Sequence, residues 1–304
     1  MYILKKKAEK AFLAFFAVIL VFTSCSTGAA RTEVGLEREN LFASLEEGGS
    51  LYVYVDVQNA RPILELIEMP GMKNVNRNQL NQILDRTLSA ALAFYPEGCP
   101  RNFLVTSRGA YPSFRVNTAF RFDRAWRRQR SDTGSQYWRS AASNLSVALT
   151  NERAFVSDGD PFIPVSSSGT EIPEGFDLFV QRTVLSGWMP NAAFPINQYL
   201  SSINLPIEIP AGKLFFAVHP AGGKYEIKFR LETPSSSHAR ALTAIMGMAR
   251  LFMPAMPQEG RGLLIGALFS NPASPDGVYV NMHTNLMSAE EVALLFTTLS
   301  VYSS

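Results

Sequence analysis

The sequence predicts an α+β protein made of two similar units, each with the order strand, helix, strand, strand, helix and a mainly antiparallel sheet, joined by a loop-rich connector. Three observations lead to this prediction. Segments in which apolar and polar residues alternate, as in half-buried strands, occur near both ends of the chain. Other stretches carry apolar residues at helical spacing. Prolines and serines interrupt the middle of the chain and indicate loops.

The first unit is predicted over residues 46–165. It begins with a strand at 51–57, where every second residue is Leu or Val and the good β-formers Tyr52 and Tyr54 lie between them. The other predicted elements are a short helix over 60–69, a helix over 76–95, strands over 103–107 and 113–122, a polar helix over 123–130, and a hairpin over 145–149 and 153–156.

A connector over 166–210, with a strand near 176–182, leads to the second unit at 211–304. In the second unit, Ser288 and Glu291 form a capping box, which marks the start of a helix. Corresponding elements of the two units are offset by roughly 160 residues, which leads to the hypothesis of a duplicated unit. A chance similarity of order is the alternative, because alternating strands and helices are common. The elements predicted here are strands over 213–219 and 225–231, a helix over 236–252, strands over 262–269 and 277–283, and a helix over 288–301.

The first 25 residues combine the features of a secretory leader. Four lysines between residues 5 and 10 precede an apolar block over 11–22, which small residues and Cys25 follow. The block is too short for a membrane-spanning helix, which needs about 20 apolar residues. An ordinary cleaved signal stays open, with Thr23 and Ser24 as the cut site in place of an A-x-A-like sequence.

The pair Ser24-Cys25 gives the leader a more specific resemblance. A small residue before an obligatory cysteine resembles the signal of bacterial lipoproteins, and its relaxed form, with Phe22 where an aliphatic residue is usual, is similar to that of spirochaete lipoproteins. The resemblance is confined to the leader and implies a signal peptide over 1–24, then a lipidated Cys25 and a flexible spacer over 25–45. It places the protein in the cell envelope, anchored by lipid at a periplasmic or surface face. Two or more acyl chains give stable anchoring, whereas one alone binds reversibly.

Composition describes an ordinary globular body. The chain is 47% hydrophobic and 18% charged, which excludes a wholly disordered protein. The formal net charge is +2, but the leader contributes four lysines and one glutamate, so the remainder carries a net charge of −1. Net charge therefore gives no support for a role in binding nucleic acid.

No catalytic, cofactor or metal site is predicted. The three histidines are not spaced as metal ligands, and the chain lacks the nucleophile and phosphate-loop motifs of common enzymes. With Cys25 assigned to lipid, Cys99 stands alone in a turn-like sequence, so no disulfide scaffold forms within the chain. We expect Cys99 to be a structural residue.

Arginine is unevenly distributed. Nine arginines lie between residues 101 and 139, and a helix over 123–130 would place Arg124, Arg127 and Arg128 on one face beside Trp126. Guanidinium groups bind phosphate and carboxylate and stack on aromatic rings. Such a face is predicted to contact an anionic surface, either lipid headgroups, an acidic glycan or a partner protein. A solvated face that other acidic residues neutralise is the alternative.

The predicted function is that of a non-enzymatic, lipid-anchored envelope protein with a scaffold or partner-binding role. The alternative is an envelope lipoprotein that holds a small ligand in a cleft between two similar halves. A deep pocket with convergent polar groups would favour the cleft, and an exposed apolar patch would favour partner binding.

Overall fold

The structure is a computed structural model whose described residues are 34–67, 81, 84–141, 144–163, 169–194, 196–197, 208–252, 266 and 270–302. The predicted signal peptide and Cys25 lie outside these residues. Two compact units divide the chain, the first extending to Asp177 and the second comprising Leu178–Leu299. Both contain antiparallel strands and a few helices, which confirms the predicted α+β class.

The first unit is a seven-stranded antiparallel sheet with strand order β1-β2-β3-β7-β6-β5-β4. Its strands are β1 (Leu51–Asp56), β2 (Thr87–Phe94), β3 (Phe103–Gly109), β4 (Trp126–Arg130), β5 (Gln136–Ser140), β6 (Ser146–Leu149) and β7 (Arg153–Ser157). Its helices are α1 (Val34–Phe42), α2 (Val57–Leu64), α3 (Ser113–Phe122) and the single turn α4 (Phe176–Phe179), which ends just past the boundary.

Helices α1 and α3 cover opposite faces of this sheet. Phe42 of α1 lies against Tyr54, with ring centroids 6.2 Å apart. Val116 and Phe120 of α3 join a buried cluster with Val105 and its neighbours. Opposed residues of paired strands share a face, and Val53, Leu92 and Val105 are aligned. Tyr54 follows Val53 directly and aligns with Ala91 and Thr106, so its side chain points to the face opposite that of Val105.

The second unit has strand order β8-β9-β10-β12-β11. Helix α5 packs on it through Ala239 and Leu242, which are buried with Leu231 and Val280. The capping box at the last helix is confirmed, since Ser288 Oγ accepts from Glu291 N at 3.2 Å and Glu291 Oε2 accepts from Ser288 N at 2.7 Å. The elements are β8 (Leu185–Met189), β9 (Leu214–Ala221), β10 (Lys224–Glu232), α5 (Ser236–Phe252), β11 (Ser274–Asp276), β12 (Tyr279–His283) and α6 (Ala289–Tyr302).

The two units share their element order but not their strand connections. Among the described residues, β1-α2-β2-β3-α3 and β10-α5-β11-β12-α6 both follow the predicted order of strand, helix, strand, strand, helix. The corresponding strands are neighbours in the order β1-β2-β3 in the first unit and β10-β12-β11 in the second. The similarity is therefore one of element order, and the strand connections do not support a duplicated unit.

Three predicted elements of the first unit are wrong. Within the range 76–95, where a helix was expected, residues 87–94 form strand β2. This strand lies between β1 and β3 with both faces covered, and a buried run rich in Ala and Leu fits the helix and strand patterns equally well. The strand expected over 113–122 is helix α3, which buries Val116 and Phe120 at a spacing of four residues. The polar helix expected over 123–130 contains strand β4.

Differences elsewhere are smaller. The strand expected near 176–182 is replaced by α4 and the later strand β8. The strand expected over 262–269 lies outside the described residues except for residue 266. The spacer expected over 25–45 includes α1, where Leu41 and Phe42 are buried. In the part of the chain that is described, no helix has both the length and the apolar character needed to span a bilayer.

Candidate functional site

Strand β4 forms one edge of the first sheet and carries the arginines that the sequence singled out. Among the described strands it pairs with β5 alone, in a register that sets Arg127 opposite Arg139 and Arg128 opposite Trp138. Every residue of β4 after Trp126 is exposed. Because successive side chains of a strand point to opposite faces, Arg128 and Arg130 lie on one face and Arg127 on the other.

The predicted grouping of arginines is therefore wrong. Arg124 lies in the turn before β4, and Arg127 and Arg128 point to opposite faces of the sheet rather than sharing one face of a helix. The physical reason is the difference in periodicity: residues three or four apart are neighbours on a helix, whereas residues two apart are neighbours on a strand. The structure brings Arg128 together with Arg130, and it separates Arg127 from both.

Trp126, expected beside the arginines, is half-buried and packs against the core. Its ring lies 4.3 Å from the ring of Phe120, centroid to centroid, at an interplanar angle of 36°. Trp138 lies 5.8 Å from the same ring, and its Nε1 donates to Oδ1 of Asn117 at 2.8 Å. These contacts fix α3 against the edge of the sheet, so Trp126 positions the surface above it.

Two phenylalanines of the strand predicted over 113–122 are among the most exposed apolar residues described. Phe114 is 82% exposed and Phe122 is 81% exposed, whereas Phe120 between them is buried. Phe114, Thr118 and Phe122 are spaced four residues apart and follow one side of α3. A helical reading of 113–122, with Val116 and Phe120 inward, would have found both exposed rings.

The arginines around these rings make hydrogen bonds to neutral groups. Arg128 donates to Oε1 of Gln136, and Nε of Arg130 donates to the carbonyl oxygen of Gly134 at 3.1 Å. Among the described residues, no ion pair includes Arg121, Arg128 or Arg130. Within the described residues, no carboxylate neutralises the charge of these three arginines. We call Phe114, Arg121, Phe122, Arg128 and Arg130 the α3–β4 surface.

A second arginine, Arg101, has a different and structural role. Its Nη2 lies 2.5 Å from Oε2 of Glu46, and its guanidinium also donates to the carbonyl oxygens of Asp160 and Ile163 at 2.7 and 2.8 Å. The hydroxyl of Tyr95 accepts from Glu46 N at 3.1 Å, and burial raises the pKa of this tyrosine. This network ties the segment after α1 to the sheet, so the helix that follows the predicted anchor is held in place.

Comparison with known protein families indicates which class of protein this chain resembles. Residues 37–160 match the family described as "Outer membrane-associated lipoprotein TP0453", which covers less than half of the chain. The chain is a bacterial lipoprotein of the cell envelope. This confirms the predicted class and its anchoring at a membrane. The chain matches no curated protein.

Solved structures of TP0453 share the fold. Crystal form III is 16% identical, with a TM-score of 0.57 over 84% of this chain and 97% of TP0453. Crystal form IV is 16% identical, with a TM-score of 0.56 over 84% and 96% of the two chains. Crystal form I is 17% identical, with a TM-score of 0.54 over 85% and 97%. The α+β architecture of this lipoprotein is thus one that experiment has seen in TP0453.

Proposed function

We propose that this lipoprotein is a non-catalytic docking protein, held by acyl chains on Cys25 and applied to an anionic membrane surface through the α3–β4 surface. The observation that carries the proposal is the pair Phe114 and Phe122, 82% and 81% exposed, beside arginines that have no acidic partner among the described residues. The matching family is described as outer membrane-associated, which supports the outer membrane as the anchoring membrane.

The anchor alone would leave the body free to rotate. Eight residues, 26–33, separate Cys25 from α1, and fully extended they span at most about 29 Å. Helices α1 and α3 cover opposite faces of the sheet. The anchor near α1 and the α3–β4 surface can therefore contact the same bilayer only if one edge of the sheet points toward that bilayer. Strand β3, on which α1 packs, is separated from β4 by four strand spacings, a distance of about 19 Å. The tether is long enough for that arrangement.

The chemistry of the surface fits a bilayer of anionic lipid. Interfacial binding strengthens with apolar area buried at the headgroup boundary and with electrostatic attraction. Each arginine near such a surface contributes about 1 kcal/mol, and the attraction is screened by salt. Burying a phenylalanine side chain contributes about 2 kcal/mol. The α3–β4 surface therefore offers both apolar area and positive charge, whereas a solvated charged face would offer the charge alone.

The test is co-sedimentation with vesicles, using the chain from Ser26 onward so that no acyl anchor contributes. We expect binding to vesicles that contain phosphatidylglycerol and little binding to neutral phosphatidylcholine vesicles. Replacing Arg121 and Arg128 with Gln should weaken binding by about 2 kcal/mol, or roughly thirtyfold. Replacing Phe114 and Phe122 with Ser should weaken it by up to about 4 kcal/mol, or roughly a thousandfold, if both rings are buried in the bilayer. Stability should not fall, because both rings are exposed in the protein.

A matched control lies on the same hairpin. Replacing Arg127 and Arg139 with Gln removes the same charge from the other face of the sheet and should weaken vesicle binding much less. Equal loss for both pairs, or unchanged binding for the Arg121 and Arg128 pair, would end the proposal. Binding to a protein from the envelope without vesicle binding would favour a partner protein instead. The ligand cleft between two halves stays a prediction.

A further inference from the structure

The face of the β4–β5–β6 edge opposite α3 holds two arginines directly across from each other. Arg127 and Arg139 are register partners in the antiparallel β4–β5 pair. Two residues before Arg127, Ala141 N donates to Ala125 O at 2.9 Å, and four residues after it, Ser131 N donates to Ser135 O at 2.8 Å. By alternation, Arg127 and Arg139 stand at a hydrogen-bonded position of the ladder. Like charges in this position repel and destabilise a sheet. An anion bound between the two guanidinium groups would reduce this repulsion.

No acidic residue lies in the same row of the sheet. Next to Arg139 on β6 is Ser146, and beyond it on β7 is Ser157. Among the described residues, the ion pairs do not include Arg127 or Arg139, and Nη2 of Arg139 donates only to Oδ1 of Asn144 at 3.3 Å. Tyr137 is buried one row along the same face. Burial raises its pKa, and the negative charges of Asp160 and Asp132 contribute to the same shift.

A buried hydroxyl group lies in the same row of the sheet as the two arginines. Ser146 is fully buried, and its Oγ has no hydrogen-bond partner among the described residues. A buried hydroxyl without a partner costs free energy, which a bound acceptor would recover. In the next row, Gln129 of β4 faces Tyr137 of β5, which adds an amide and a phenolic hydroxyl at the border of this set. Guanidinium forks and hydroxyl groups are the donors that proteins use to hold phosphate.

We propose that Arg127, Arg139 and Ser146 form a binding site for a phosphate group, on the face of the sheet opposite the α3–β4 surface. The two guanidinium groups bind the phosphate oxygens, and Ser146 donates its hydroxyl proton to one of them. Binding relieves the repulsion between the arginines and gives the serine its partner. The phosphate group belongs either to free inorganic phosphate or to a lipid headgroup that ends in a phosphate monoester.

The experiment measures radiolabelled inorganic phosphate binding to the full chain in a neutral detergent by equilibrium dialysis, at fixed ionic strength. We expect saturable binding that Arg127→Gln or Arg139→Gln weakens about tenfold or more, and that Ser146→Ala weakens several-fold. The control is Arg124→Gln, which makes the same charge change in the turn before β4, outside both proposed surfaces, and should leave binding unchanged. Binding that does not saturate, or an equal loss in Arg124→Gln, would overturn the proposal.

Two further measurements support the assignment. Without phosphate, Arg139→Gln should melt no lower than the parent chain, because the substitution removes repulsion; a lower melting temperature would show that the pair is structural and would overturn the site. Micelles doped with phosphatidic acid that displace labelled phosphate would identify a headgroup, and lack of displacement would identify free phosphate. Vesicle binding through Arg121 and Arg128 is measured separately, so either proposal can fail alone.

Discussion

Arg101 and Glu46 form an ion pair inside the first unit, with the arginine side chain 1% exposed and the glutamate side chain 17% exposed. The arginine also lies over the ring of Tyr95, its Cζ 5.7 Å from the ring centroid. Taking a charge out of water is expensive, and the pair tolerates it because several oxygens surround the guanidinium. The contact joins residues that are 55 positions apart in the chain.

Breaking this pair should destabilise the protein strongly. Arg101→Met removes the buried cation that pairs with the Glu46 carboxylate and the donor to two carbonyl oxygens. We expect a loss of about 3–5 kcal/mol in the free energy of unfolding, measured by urea denaturation. Arg61→Met is the control, since Arg61 pairs with Glu65 and Asp85 at the surface and should cost less than about 1 kcal/mol. Similar losses for both variants would contradict the buried role of Arg101.

The two neighbouring phenylalanines of α3 should respond in opposite ways to truncation. Phe120→Ala removes a buried ring that contacts Trp126 and Trp138, and it should cost about 3–5 kcal/mol of stability. Phe122→Ala removes an exposed ring and should change stability by no more than about 0.5 kcal/mol. Thermal and urea unfolding would measure both. Equal costs would restore the strand predicted over 113–122, in which both rings point inward.

Stability should fall as the pH drops below the normal histidine range because of His219. Burial, and then the positive charge of Lys228, lower the pKa of His219 from its usual value of 6.5. The unfolded chain therefore takes up a proton at His219 before the folded chain does, so stability is full above pH 6.5 and declines below it. The free energy of unfolding, measured at about pH 7.5 and about pH 5.5, roughly one unit either side of the usual histidine pKa, should differ less in His219→Asn than in the parent chain. An unchanged difference would assign the effect to other groups.

Membrane attachment should depend on Cys25. Cys25→Ala removes the thiol that would carry the acyl chains, and we expect loss of palmitate labelling and release of the protein from the membrane fraction. Cys99→Ala is the matched control, because Cys99 is a free, partly buried thiol of the first unit and should not affect labelling. Labelling that persists in Cys25→Ala would refute the proposed anchor.

Much of the second unit could be predicted because its signals are local. The alternation along β10 and the capping box at Ser288 each lie within a few residues, and both are found as expected. The first unit was harder to predict, since Val116 and Phe120 fit an alternating strand and a helix face equally well. The phosphate site could not have been foreseen, because Arg127 and Arg139 meet only through the β4–β5 register.

By itself, the sequence predicted the leader with its cysteine, and it determined the α+β composition and the elements whose periodicity admits one structure, because these depend on residues close together in the chain. The tertiary structure decided that residues 87–94 form a central strand, that 113–122 form a helix, and which face each arginine occupies. Where local patterns are balanced, the partners available to an element choose its conformation, since burial and strand pairing outweigh the small differences in intrinsic propensity.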